Sequence, residues 1–131
     1  MNIKMAKDFI RTQNAPQPLG PYSQGIKAGN FLFVSGQGPI DPKTGKMIEA
    51  DIEKQTRQTL QNIKAIVEAS GFTMNDVVKV SIFLKNASDF QKMNEIYKTF
   101  FQENPPTRTT VQAEFVAPGM FIEIDSIACR Q

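Results

Sequence analysis

One short strand with two apolar faces constrains this chain more than any other feature. In Phe31-Leu32-Phe33-Val34, phenylalanines alternate with a leucine and a valine. Alternate side chains of a strand point to opposite faces, so Phe31 and Phe33 share one face and Leu32 and Val34 the other. Both faces then need cover. The sequence offers two helical patterns to supply it. The first, Asp51 to Gly71, spaces Ile52, Leu60, Ile63, Ile66 and Val67 along one face, with Asp51 as N-cap and Gly71 as the C′ stop. The second opens at Ser88, which with Gln91 matches a capping box. Phe90, Met93, Tyr97, Phe100 and Phe101 continue it at helical spacing until Asn104-Pro105-Pro106 ends it. A single layer of two helices buries only one face of a sheet. The other face therefore predicts self-association and places its polar residues near a subunit boundary.

Strands fill the remainder. Ser23 to Gly36 reads as two strands around a turn at Ala28-Gly29-Asn30. Asp76 to Lys85 puts Val78, Val80, Ile82 and Leu84 on the face the helices would cover, with Lys79, Ser81 and Lys85 on the other. The last run sets Ile122, Ile124 and Ala128 against Glu123 and Asp125. Asp41 to Gly45 is a turn or loop with no phosphate-cradling pattern, and Gly36-Gln37-Gly38 is too short for a nucleotide fingerprint. The order strand, strand, helix, strand, helix, strand, strand predicts an α+β sandwich, a mostly antiparallel sheet with two helices on one face. With 131 residues and no repeat, linker or composition break, a single domain over residues 1–131 is expected.

Composition narrows the chemistry. The chain has no histidine, which removes Ser–His and Cys–His nucleophile pairs and imidazole acid–base catalysis. Its single cysteine, Cys129, leaves too few ligands for a zinc site and allows no intrachain disulfide. Net charge is +2 with no Lys/Arg block, so nucleic-acid binding is disfavoured. No apolar run approaches the length of a bilayer span. The N-terminal stretch Met1 to Gln13 lacks an apolar h-region and a cleavage signature and carries Asp8, which makes the cytosol the expected location. Catalysis here has to run on arginine, carboxylates, tyrosine, hydroxyls, backbone groups and water. That set suits an easy reaction.

Pro105 and Pro106 deliver the chain extended into Thr107 to Phe115, a β-branched run that reads as a strand. Arg108, Thr110, Gln112 and Glu114 share one face of it by alternation, and Glu123 and Asp125 share a face of the last strand. If these polar faces are the same side of the sheet, a planar guanidinium suited to grip a carboxylate meets a carboxylate able to hold or polarise a water. A solvent-facing arginine and surface ion pairs of little consequence are the plainer account of the same residues.

Several motifs occurring in order, "NAPQPLGPYSQG", "FLFVSGQGPIDPKTG", "TRQTLQNIKAIVEASG", "VVKVSIFLKNASDFQKMNEIY", "TRTTV" and "IEID", resemble the RidA family, also called YjgF, from about Thr12 to Ala128. The resemblance implies a chorismate-mutase-like sandwich assembled as a homotrimer with clefts between subunits. It implies hydrolysis of 2-iminobutanoate and 2-iminopropanoate, shed by pyridoxal-phosphate-dependent dehydratases, to 2-keto acids and ammonia, with no metal or organic cofactor. Carried over by motif, Arg108 of "TRTTV" matches the arginine that binds the substrate carboxylate, and Glu123 of "IEID" the glutamate that orients the attacking water. Tyr22 of "GPY", Ser35 and Gly36 of "VSG" and Asn94 of "KMNEIY" match pocket positions. Thr110 stands in the pocket where some members have cysteine, Asp125 where a second glutamate is common, and Ala117 to Met120 replaces a more usual loop. Three alternatives accompany the enzyme reading: a non-catalytic trimer that binds small carboxylates, an endoribonuclease or translation inhibitor, and a chaperone-like role that would depend on exposed apolar surface.

Overall fold

The computed structural model describes residues 6–131; the N-terminal stretch weighed for targeting begins in residues 1–5, which lie outside them. Strands β1 (Asp8–Ile10), β2 (Gly25–Ala28), β3 (Phe31–Gln37), β4 (Val77–Leu84), β5 (Thr107–Gln112) and β6 (Ile122–Cys129) form a sheet in the order β1-β2-β3-β6-β4-β5. Helix α1 (Ile52–Ala69) lies between β3 and β4, and α2 (Phe90–Phe100) between β4 and β5. Every pairing is antiparallel except β4 with β5, the pair that α2 connects as a crossover. The expected α+β class and mostly antiparallel sheet are thus observed. Strand β1 was not anticipated, because three residues are too few to show alternation. It forms by pairing Asp8, Phe9 and Ile10 with Lys27, Ile26 and Gly25. No helix among the described residues is long and apolar enough to cross a membrane.

Helix α1 begins and ends where its sequence signals stand. Asp51 accepts a hydrogen bond from the Lys54 N–H at 2.9 Å. Gly71 takes φ 83°, and the N–H groups of Gly71 and Phe72 donate to the carbonyls of Glu68 and Val67, closing the last turn. The start of α2 differs from expectation. Ser88 lies inside a 3-10 turn, Ala87–Asp89, and no side chain caps the helix that follows. A capping residue needs extended backbone, and the turn denies it to Ser88, so the Ser88–Gln91 box does not form. Phe90, read as part of the buried face of α2, is 42% exposed.

The core lies between the helices and one face of the sheet. Leu32, Val34, Val80, Ile82, Leu84, Ile122 and Ile124 meet Leu60, Ile63, Ile66, Met93 and Tyr97 there. Val78 does not join them. A register shift between Val77 and Lys79 buries Val77 instead and leaves Val78 44% exposed. The opposite face has no cover among the described residues. Phe31 and Phe33 remain 45% and 46% exposed there, with Phe33 flanked in register by Ile26 and Ile127.

Candidate active site

Arg108 is the second residue of β5, which lies at one edge of the sheet. Its lateral partner is Val80, which in turn pairs with Ser126, and both of those residues are buried under the helices. Lateral neighbours in a sheet point to the same side, so Arg108 projects to the helix side, at the edge. There its Nη1 donates to Oδ1 of Asn94 on α2 at 2.8 Å. Its guanidinium carbon sits 4.8 Å from the centre of the Tyr97 ring and 5.5 Å from that of Phe90. The two ion pairs among the described residues are Lys54 with Glu49 and Lys98 with Glu95. Arg108 thus has no carboxylate partner there, and the Asn94 bond is its one side-chain hydrogen bond. It borders a hollow of about 410 Å³ that Asn94, Tyr97, Phe101, Pro105 and Pro106 also line. Burial pushes the Tyr97 phenol up to about 12, partly offset by the Arg108 charge, so this tyrosine stays protonated. Thr110, paired with Ile82, is on the same side, and its buried hydroxyl has no partner among the described residues.

Glu123 is elsewhere. It pairs with Phe83, three residues from Ser126 along β6, and an odd separation on a strand means the opposite face. The condition that the arginine and glutamate faces be the same side of the sheet is therefore not met within one chain. Alternation fixes which residues share a face along one strand; only the pairing register says how two strands' faces correspond. The strand is also shorter than expected. Pairing stops at Gln112, after a last bond from the Ala113 N–H to the Leu84 carbonyl, and leaves Glu114 outside.

A bulge in β3 serves the Glu123 side. Val34 pairs with Ser126 and Gln37 with Ile124, so Ser35 and Gly36 together oppose Asp125. The Glu123 carboxylate lies against the Gly36 backbone so closely that a Cβ on Gly36 would be 2.7 Å from Oε2. Only glycine allows that approach. Burial, with the Asp125 charge adding to it, raises the Glu123 pKa above the ordinary carboxylate value. Ser35 Oγ donates to the Ser23 carbonyl at 2.5 Å, tying the bulge to the loop that carries Tyr22. The Tyr22 hydroxyl accepts from the Leu19 N–H at 3.3 Å, and the residue as a whole is half exposed. Glu123 borders a separate hollow of about 420 Å³, walled by Phe83, Phe115, Val116, Ala117 and Met120. A larger hollow of about 590 Å³, at Lys85, Asn86, Gln112 and Glu114, touches neither Arg108 nor Glu123.

The predicted site residues fall into two groups. Arg108, Asn94 and Thr110 gather on the helix side, and Glu123, Ser35 and Gly36 on the other, with Tyr22 on the loop tied to Ser35. Two neighbours of Arg108, Tyr97 and Phe90, stand at helical spacing in the sequence, a pattern that signals packing and not a site. The spacing of Asn94 and Tyr97, three apart on α2, was the available signal that they share a face. Gln55 carried no site signal. Buried in α1, it donates to the Gly119 carbonyl at 2.7 Å and accepts from the Phe121 N–H at 2.8 Å, fastening the loop beside Glu123.

Comparison with known proteins places this geometry in context. A family model described as Endoribonuclease L-PSP matches residues 12–130. A RutC family protein of Pyrococcus horikoshii is 54% identical, over 95% of this chain and 99% of its own length. The 2-iminobutanoate/2-iminopropanoate deaminase of Escherichia coli strain K12 is 44% identical, over 93% of this chain and 97% of its own. Among solved structures, E. coli TdcF with bound serine superposes with a TM-score of 0.90 at 41% identity, covering 95% of this chain and 99% of that one.

Proposed function

The chain belongs to the Endoribonuclease L-PSP family, the YjgF/RidA proteins, and from that premise we propose that it is a hydrolytic deaminase of reactive 2-imino acids, 2-iminobutanoate and 2-iminopropanoate. The observation that carries the reading is the state of Arg108. A guanidinium held by an amide, laid over aromatic rings and given no carboxylate among the described residues is prepared for a carboxylate from outside. TdcF with bound serine, an amino acid with a carboxylate, agrees with a ligand of that class.

The work divides between two copies of the chain. Arg108 and Glu123 face opposite sides of the sheet, so one copy offers the carboxylate grip and another the water-handling carboxylate. The uncovered Phe31/Phe33 face, next to the β3 bulge, is the natural contact surface between copies in a homotrimer with clefts between subunits. Tyr22, Ser35 and Gly36 then enter the cleft with Glu123, and Asn94 and Thr110 with Arg108.

The chemistry asks for little more than placement. A protonated imine beside a carboxylate is electrophilic at C2. Arg108 fixes the carboxylate, and Glu123 accepts a proton from a water as its oxygen bonds to C2, giving a tetrahedral aminoalcohol. Glu123 returns that proton to the nitrogen, the C–N bond breaks, ammonia leaves, and loss of the hydroxyl proton gives the 2-keto acid. Positioning supplies much of the barrier reduction, and a general base contributes on the order of a hundredfold or more. The raised Glu123 pKa suits a group that both takes and returns a proton.

The test generates 2-iminobutanoate from threonine with a pyridoxal-phosphate-dependent dehydratase in the presence of semicarbazide. Wild type should suppress semicarbazone formation, Arg108→Ala should not, and Glu123→Gln should bind 2-oxobutanoate while losing turnover. An unchanged trapping rate with folded wild type, across imines from several amino acids, would remove the enzyme reading. It would leave a carboxylate-binding protein.

A further inference from the structure

Tyr97 has no part in the steps above, and its surroundings are unusual for a core tyrosine. It is 6% exposed, and its hydroxyl has no hydrogen-bond partner among the described residues. A buried hydroxyl without a partner is costly, and phenylalanine would occupy nearly the same volume without that cost. The ring has clear neighbours. Its centre lies 4.8 Å from the Arg108 guanidinium carbon, and the Phe101 ring packs 4.7 Å from it. Three residues earlier on α2, Asn94 takes Nη1 of the same guanidinium at 2.8 Å.

An arginine side chain is long and has many rotamers, so one hydrogen bond alone leaves its plane free to turn. A ring beneath the guanidinium removes much of that freedom through cation–π attraction and contact. Phe90 offers a second ring at 5.5 Å, but it is 42% exposed, and water weakens such an interaction. We infer that Tyr97 is a positioning residue, whose ring, with the Asn94 amide, sets the direction in which Arg108 presents its free N–H groups to the carboxylate of a 2-imino or 2-keto acid. The inference rests on the reading of Arg108 as the carboxylate-binding residue. It assigns the effect to the ring and not to the hydroxyl.

The experiment measures 2-oxobutanoate binding by titration calorimetry to wild type, Tyr97→Phe, Tyr97→Leu, Arg108→Ala and Arg108→Lys, with Tyr97→Met as a second non-aromatic variant should the leucine form not fold. Tyr97→Phe should stay within about twofold of wild type, and the non-aromatic variant should bind about tenfold more weakly. In the Arg108→Lys background, which keeps the charge but not the planar fork, the same Tyr97 change should cost less than about twofold. Equal losses in Tyr97→Phe and the non-aromatic variant would make the hydroxyl the acting group and overturn the inference. So would wild-type binding by the non-aromatic variant, or an undiminished loss in the Arg108→Lys background, which marks a general structural role. Binding that is absent in wild type, or unaffected by Arg108→Ala, would remove the carboxylate reading itself and this inference with it.

Discussion

Replacing Gly36 with alanine adds one methyl group to the β3 bulge, and the structure says where it lands. The new Cβ would stand 2.7 Å from Oε2 of Glu123, 3.0 Å from its Cδ and 3.3 Å from its Cγ. An ordinary contact begins near 3.4 Å, so the carboxylate has to retreat by about 0.7 Å. The backbone at Gly36 is not in the left-handed region, and alanine brings no conformational strain there. Glu123 can therefore yield by a torsional adjustment costing about 0.5–1.5 kcal/mol, and the fold should survive. Catalysis should not. A displacement approaching 1 Å in a water-positioning group costs up to roughly a hundredfold in rate, so kcat should fall between about tenfold and a hundredfold. Because the proposed carboxylate grip is Arg108 and the displaced group is the water-handling Glu123, 2-oxobutanoate affinity should change by less than about threefold. The assay pairs the semicarbazide competition with urea unfolding and keto-acid titration. Wild-type turnover in a folded Gly36→Ala protein would refute the placement of Glu123 in the reaction.

Four further outcomes follow from individual contacts. Asn94→Ala frees one guanidinium nitrogen and should weaken 2-oxobutanoate binding about threefold to tenfold with little change in kcat, read from the KM against kcat split. Gln55→Ala leaves the Gly119 carbonyl and Phe121 N–H without partners and should cost about 2–4 kcal/mol in urea unfolding. The raised Glu123 pKa means the folded state binds more protons than the unfolded one between the ordinary carboxylate value and the raised one, so stability falls as pH rises through that window; Glu123→Gln should thus gain on wild type in urea melts as pH rises above the ordinary carboxylate value, and a gap that stays constant would refute the burial argument. Wild type should sediment as a trimer in analytical ultracentrifugation, and Phe33→Lys, which charges the uncovered face, should yield monomers.

How much of this was legible depended on whether a feature is local. The ends of α1 were, because Asp51 and Gly71 act within a turn of themselves through one side-chain acceptor and one backbone angle. The interiors of β3 and β6 were, because period-two alternation persists through Leu32-Phe33-Val34 and through Ile122 to Ala128. Ser88 shows the limit even of local signals. Its spacing to Gln91 is right for a capping box, yet the 3-10 turn gives it the wrong backbone. Val78 shows another, since one extra residue in a strand shifts the pattern, and nothing in Val77-Val78-Lys79 announces which valine is displaced.

The candidate site was legible as a set of residues and illegible as an arrangement. Apart from Tyr22, every residue in it sits on an element that the sequence identifies, but its grouping depends on β5 running parallel to β4 in the register Arg108 to Val80, and on β6 running antiparallel in the register Glu123 to Phe83. Those registers are set by long-range packing of Val80, Ile82, Ile122 and Ile124 under the helices. A slip of β5 by one residue would bring Arg108 to the Glu123 side, and would also turn Thr110 out and Val111 in. The burial of the Thr110 hydroxyl without a partner among the described residues, beside an outward Val111 that is 46% exposed, is the reverse of what apolar burial alone would choose. β5 therefore sacrifices a better-buried valine to keep Arg108 over Tyr97 and against Asn94. That choice fits the proposed reading, in which the guanidinium of an edge strand faces a ligand on one side of the sheet while the carboxylate on the other side serves a neighbouring copy.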